Sequence, residues 1–354
     1  MLINRFSKYC SYTSPFLKRY MKQSIVLVYV SGLLLLTSLS SCQDDSYNED
    51  PGDRVITLDV PTGFPYPVIP EDNQPTLNRI KLGEKLFFDP ILSRDNTISC
   101  GSCHLTSLKF TDGLAVSIGI DNQHALRNSM TILNTAYQPY FFWDGGVPNL
   151  EQQVLAPIEN PLEMDFDVNQ AVARLQASKE YVDLFLKAYD RTPDVFSLTR
   201  AIANFERTLF TGSSKYDSYL YNNNTTALNT SETNGMNIFN GEKGECFHCH
   251  NEYNLTDYSF KNNGLYLNYP DSGRARVTLN PSDVGKFKVP SLRNIELTAP
   301  YMHDGSMATL EQVVDHYNSG GQPHPNKSGL IKPLGLTAQE KTDLVNFMKA
   351  LSDK

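Results

Sequence analysis

The chain has 354 residues, 40% of them hydrophobic and 20% charged, with a net charge of −8. That length accommodates two modest domains or one large one. The acidic balance argues against a nucleic-acid partner, since a phosphate-binding face needs a basic excess, and is compatible with a basic protein partner.

In chain order, the first readable element is a leader. Residues 21–42, MKQSIVLVYVSGLLLLTSLSSC, carry Lys22, an apolar run through Leu36, and small residues ending at Cys42. This is the pattern of a signal peptide, with Met21 a better initiator than Met1, so residues 1–42 are assigned to it. The apolar run is shorter than the roughly 20 residues of a membrane span. LSSC resembles the lipobox of bacterial lipoproteins, in which Cys42 is lipidated and becomes the first residue. The expected location is the periplasm or cell envelope, lipid-anchored to a membrane. Residues 43–74, opening QDDSYNEDPGD, are acidic and polar and read as a flexible tether.

Beyond residue 75 helical stretches alternate with long loops rich in Pro, Gly and Asn. AVARLQASKEYVDLFLKAY (171–189) places Val172, Leu175, Val182, Phe185 and Leu186 on one helical face. SLTRAIANFERTLF (197–210) reads as a second helix, stopped at Gly212. TAQEKTDLVNFMKALS closes the chain, with Thr337 as N-cap and Glu340 completing a capping box. Strand patterns are scarce, so the fold is expected to be mainly α with loops that carry the chemistry.

Two short motifs hold that chemistry. SCGSCH contains Cys100, Cys103 and His104; CFHCH contains Cys246, Cys249 and His250. Past the leader the chain has no other cysteine, whereas a disulfide framework spreads cysteines over many spacings. Cys-x-x-Cys-His is the attachment signature of c-type haem: two thiols bond the vinyl groups and the adjacent histidine ligates the iron. A zinc site would need both cysteine pairs to converge on one ion, leaving the two histidines as coincidences. Two covalently bound haems are therefore expected. His248, inside the second motif, reads as a surface or packing residue. The motifs divide the chain into residues 75–211 and 212–354, joined by the polar TGSSKYDSYLYNNNTTALNT (211–230). Elsewhere the halves share little visible similarity.

From residue 75 onward the chain resembles the bacterial diheme cytochrome c peroxidases, a superfamily that also contains the diheme enzyme of methylamine utilisation. The matching stretches are LGEKLFFDPILSRDNTISCGSCH, RNSMTILNTAYQPYFFWDGG, LEQQVLAPIENPLEM, AIANFERTLFTGSSKYD and VPSLRNIELTAPYMHDGSMATLEQVVDHYNSGG. The resemblance implies a mainly α fold of two cytochrome c-like haem domains with long loops. The first domain would hold a peroxidatic haem and the second an electron-transfer haem. It implies reduction of hydrogen peroxide to water, with electrons from cytochrome c or a similar small redox protein, and it makes a homodimer an expectation. The rival readings are an oxidase that modifies a protein or other large substrate by long-range electron removal, and a non-catalytic electron carrier.

The resemblance also assigns residues. It puts Gln153 and Glu163 on the distal side of the first haem, with Pro157 bordering the cavity. Cleavage of an O–O bond needs a group that takes a proton from one oxygen and delivers it to the other, as a carboxylate can. Composition alone would make Glu163 a surface or helix-start residue. Trp143, the only tryptophan, falls between the haems, where it packs, assists electron transfer, or both. His124 is either a displaceable distal ligand of the first haem or a solvent-facing loop residue. Asn128, Thr298 and Pro300 match the ligands of an interdomain calcium ion, in line with its preference for oxygen donors. At the second haem the family's distal methionine is replaced by Tyr317, fourteen residues beyond His303 (317 − 303), as in the methylamine enzyme. The adjacent His316 is the rival ligand. Met302 and Met307 lie outside the matching position.

Overall fold

The structure is a computed structural model and describes residues 54–353. The leader, Cys42 and the first part of the tether lie outside the described residues. The helices, in order, are α1 (Leu77–Phe88), α2 (Cys100–Cys103), α3 (Leu150–Gln153), α4 (Leu155–Glu159), α5 (Val168–Gln176), α6 (Lys179–Tyr189), α7 (Val195–Glu206), α8 (Lys215–Tyr221), α9 (Thr230–Phe239), α10 (Ala275–Thr278), α11 (Leu310–Ser319) and α12 (Ala338–Lys349). Two-residue strands β1 (Phe260–Lys261) and β2 (Phe287–Lys288) pair antiparallel, Phe260 opposite Lys288. The helix starts follow from side-chain caps that satisfy otherwise orphaned N–H groups. Capping boxes open α7 at Asp194, α9 at Asn229, α11 at Thr309 and, as expected, α12 at Thr337 with Glu340.

Two hydrophobic clusters organise these helices, and each is built on a crossing pair. In the first, α1 lies against α7 with Gly83 at the contact: a Cβ there would sit 1.9 Å from the Ala201 carbonyl oxygen. In the second, α9 lies against α12, and a Cβ on Gly235 would sit 2.0 Å from the Asp343 carbonyl oxygen. One helical turn beyond each glycine a phenylalanine meets a phenylalanine of the partner helix. Phe87 packs on Phe205 at 5.2 Å and Phe239 on Phe347 at 5.3 Å. The same two rings stand 6.3 Å from His104 and 6.5 Å from His250. The crossings thus position both motifs.

A longer repeat follows, at a constant offset of 160 residues (302 − 142). Left-handed Asn134 and Asn294 open 3₁₀ turns at Thr135–Tyr137 and Ile295–Leu297. Phe142 and Met302 have φ of 63° and 75°, and bridges Phe141–Val147 and Tyr301–Met307 close matching turns. Helices α3 and α11 then begin at Leu150 and Leu310. The repeat makes Trp143 the counterpart of His303, and Pro157 the counterpart of Tyr317.

Three expectations are corrected. The helix expected over 171–189 is two helices, because Ser178 caps a new start through its hydroxyl and the Tyr181 N–H. The register shifts, so Leu186 is exposed and Tyr181, Phe185 and Ala188 are buried. Helix α7 spans Val195–Glu206 rather than 197–210, with its last carbonyls met by the Arg207 N–H. The polar joining segment contains α8, whose buried Asp217 receives two 2.8 Å hydrogen bonds from Arg293. The tether is packed from Val55, which bridges to Thr76, and Leu58, Phe64 and Asn73 are buried.

Gly235→Ala should force α9 away from α12. The expected loss is about 1–3 kcal/mol, the usual cost of overpacking a close contact. Thermal unfolding of the purified protein checks this, and an unchanged midpoint would show that the crossing has slack.

Candidate active site

The first site is built on α2. Ser99 and Ser102 cap each other at its start, and Cys100, Cys103 and His104 follow within one turn. The loop after it reverses through Lys109 and Phe110, both left-handed (φ 53° and 61°), a conformation that costs free energy in non-glycine residues. That reversal brings the Phe110 carbonyl to 2.9 Å from His104 Nδ1. The second site repeats the device. Leu255 is left-handed (φ 53°), and its carbonyl stands 3.1 Å from His250 Nδ1. With Nδ1–H donating to a carbonyl, Nε2 is the free lone pair, the state a metal-ligating imidazole requires. Burial pushes both imidazoles below their ordinary pKa, which also favours the neutral ligand form.

The four cysteines form no disulfide. Burial, the largest cause, pushes all four thiols up: Cys103 to about 11 and Cys246 to about 12, with Cys100 and Cys249 also raised. Such thiols are poor metal ligands and suit a covalent bond to an apolar group.

Glu163 comes to the first site from the loop after α4. That loop is a tight knot: Glu163 N–H donates to the Asn160 carbonyl, and Met164 N–H to that of Pro157. Asn160 Nδ2 donates to Glu163 Oε1 at 2.7 Å. Burial raises the Glu163 pKa above the ordinary carboxylate range, and the Asn160 bond opposes it. The Glu163 charge contributes to the raised pKa of both Cys100 and Cys103. Gln153 is half-buried at the end of α3, one turn before Pro157. His124 is exposed and bridges to Ile118. Sequence reasoning missed Glu206, a 5% exposed carboxyl near Cys100 whose pKa burial raises to about 8.

The second site is a large, mostly apolar cavity. Cys246, Cys249, His250 and Tyr317 line it, with Trp143, Met302, His303 and Lys288, and so do Asn128, Thr298 and Pro300. Tyr317 projects from α11, and burial raises its phenol pKa. Asn263 Nδ2 lies 3.5 Å from Tyr317 Oη and 3.4 Å from Met302 Sδ, so both side chains converge on one amide. His316 is not among the walls: its Nε2 is engaged 3.1 Å from the Asn263 carbonyl. His248 is exposed, its ring tilted against Phe247, which is the surface alternative of the two expected for it. Trp143 Nε1 donates to the Asn128 carbonyl at 2.9 Å, tying the tryptophan to the segment behind the first motif.

These donor sets fit c-type haem. Each offers two thiols, one neutral imidazole with a free Nε2 and apolar surroundings, and the second adds a large cavity lined by His250.

Comparison with known proteins agrees. Residues 77–225 match the family described as di-haem cytochrome c peroxidase. Cytochrome-c peroxidase IdrP1 of Pseudomonas sp. (strain SCT) is 39% identical, over 81% of this chain and 84% of its own. The methylamine utilization protein MauG of Methylorubrum extorquens is 36% identical over 82% of each. A crystal structure of a MauG-like protein associated with microbial copper homeostasis superposes with a TM-score of 0.79 at 39% identity, covering 84% of this chain and 95% of its own. The diheme peroxidase BthA of Burkholderia thailandensis, at 21% identity and TM-score 0.72, shares the fold, over 86% of this chain and 94% of its own.

Intact-mass analysis of protein matured with a haem-attachment system should show two haem additions, and Cys246→Ala with Cys249→Ala should show one. A single addition in the unaltered protein, or bound zinc, would contradict the two-site reading.

Proposed function

This chain belongs to the di-haem cytochrome c peroxidase family, and from that premise we propose that it reduces hydrogen peroxide to water with electrons from cytochrome c or a similar small redox protein. Cys100, Cys103 and His104 would hold one haem c, and Cys246, Cys249 and His250 the other, each supplying a redox-active iron. The observation that carries the reading is Glu163: a half-buried carboxylate with a raised pKa, held by Asn160, whose charge acts on both thiols of the first site.

Its task is proton transfer. In the ionised form Glu163 takes the proton from one peroxide oxygen and returns it to the other, so that water rather than hydroxide leaves. Asn160 fixes the Glu163 carboxylate, and the Gln153 amide is suited to holding the peroxide. Trp143 stands on the cavity wall of the second site and bonds the segment behind the first, which suits it to carry electrons between them. The partition into haem domains at 75–211 and 212–354 is supported by the two Gly-centred crossings, one in each part.

We further propose that Tyr317 is the distal ligand of the second haem. It lines the cavity with His250 whereas His316 is bonded away from it. A phenolate favours ferric iron where a thioether favours ferrous iron. This feature also favours a second reading, an oxidase that draws electrons from a large substrate. Asn128, Thr298 and Pro300, which line the same cavity, suit a calcium ion through one amide oxygen and two backbone carbonyls. Asn128 Nδ2 already donates to the Leu114 carbonyl at 2.9 Å, which leaves Oδ1 for a cation. A lipid on Cys42 would hold the enzyme at a membrane of the cell envelope, and pairing of two copies completes the proposed assembly.

Glu163→Gln should retain both haems and lose roughly 10²–10⁴-fold in peroxide turnover, the contribution typical of a positioned acid–base group. In the unaltered enzyme kcat/KM should fall as pH drops through a value above the ordinary carboxylate range, because Glu163 must be ionised to accept the proton. The variant should lack that limb. Steady-state turnover with reduced cytochrome c checks both, and near-normal activity would remove Glu163 from the mechanism.

Tyr317→Met should raise the midpoint potential of the second haem and leave the first haem's spectrum unchanged. If Tyr317→Phe leaves the second haem's potential and EPR signal as they were, Tyr317 only packs.

A further inference from the structure

The second cavity has an unbalanced charge. Its charged walls are Glu245, Lys261, Lys288 and Lys332, and Glu245 is already paired with Lys332 at 3.0 Å. Lys288 is the unusual member. It is 2% exposed, on β2, and its backbone N–H donates to the Trp143 carbonyl at 2.7 Å. Its ammonium donates to Gln138 Oε1 at 2.5 Å and to the Tyr140 carbonyl at 2.9 Å, both neutral acceptors. An ammonium has three donors, so one N–H remains. The nearby carboxylate, Asp144, is bonded to Arg127 at 2.7 Å, and Arg127 also holds Asp271.

A buried cation served only by neutral acceptors is costly, and burial pushes the Lys288 ammonium down to about 7. An anion brought into the cavity would remove that cost. Haem carries two propionates, and no carboxylate of the protein faces Lys288 unpaired among the cavity walls. We propose that Lys288 Nζ anchors a propionate of the haem held by Cys246, Cys249 and His250, and so raises that haem's potential while fixing its edge against the Trp143 loop. The proposal rests on the haem reading of the second site. A fixed positive charge beside the cofactor favours the less positive, ferrous state.

The test is spectroelectrochemical titration of both haems in the full-length, two-haem protein. Lys288→Gln, which keeps a donor and loses the charge, should lower the midpoint of the second haem only. Lys288→Arg should remain near the unaltered value, because a guanidinium also binds a carboxylate. A second-haem midpoint unchanged in Lys288→Gln would overturn the proposal and assign Lys288 to holding the Gln138–Tyr140 loop. So would loss of the second haem in Lys288→Arg and Lys288→Gln alike, since an anion anchor tolerates arginine. The haem content of the unaltered protein, read by mass, tests the underlying reading separately.

Discussion

Each motif histidine has one ring nitrogen committed to a backbone carbonyl, and the rest of both sites follows from that bond. It fixes the tautomer, aims Nε2 into an apolar space and holds the ring without an acidic partner. The acceptors, Phe110 and Leu255, both adopt the left-handed backbone that non-glycine residues avoid. Strain placed at the same functional point in two different loops marks a constraint of the chemistry. The crossings at Gly83 and Gly235 serve it, because each brings a phenylalanine up beside the imidazole.

The two sites diverge at their distal faces. The 160-residue repeat sets Pro157 where Tyr317 stands in the second copy. Proline offers no ligand atom, and the loop that follows it delivers Glu163; tyrosine offers an oxygen, backed by the Asn263 amide. One frame thus supports a face suited to exchange protons with a small molecule and another suited to hold its cofactor closed. The charges fit this division: a half-buried carboxylate with a raised pKa at the first site, a buried lysine at the second.

Much of this was legible in the residues. Cys100, Cys103, His104 and their counterparts announce themselves because covalent attachment demands a fixed spacing, and the Thr337 cap because its partner lies three residues on. The repeat is only partly legible. Asn134, Asp144, Gly145, Leu150, Glu151, Gln152 and Val154 recur as Asn294, Asp304, Gly305, Leu310, Glu311, Gln312 and Val314, a sparse signal over a 160-residue gap. The positive φ shared by Phe142 and Met302 shows only in the backbone. The apolar periodicity of 171–189 runs through Ser178, which hides that a hydroxyl there equally starts a new helix. Lys288 looks like any strand-edge lysine until Gln138 and Tyr140, some 150 residues away in sequence, are folded against it. The packing of Phe64 and Asn73 was likewise hidden, because their partners Tyr137, Tyr253 and Glu151 are remote.

The central claim is that two sites of one design differ in accessibility. Titration of the ferric protein with cyanide, followed by EPR, tests it most directly. The account predicts that one equivalent binds, changing the signal of the haem attached at Cys100 and Cys103 and leaving the other untouched. Binding of two equivalents, or binding first at the haem attached at Cys246 and Cys249, would contradict it.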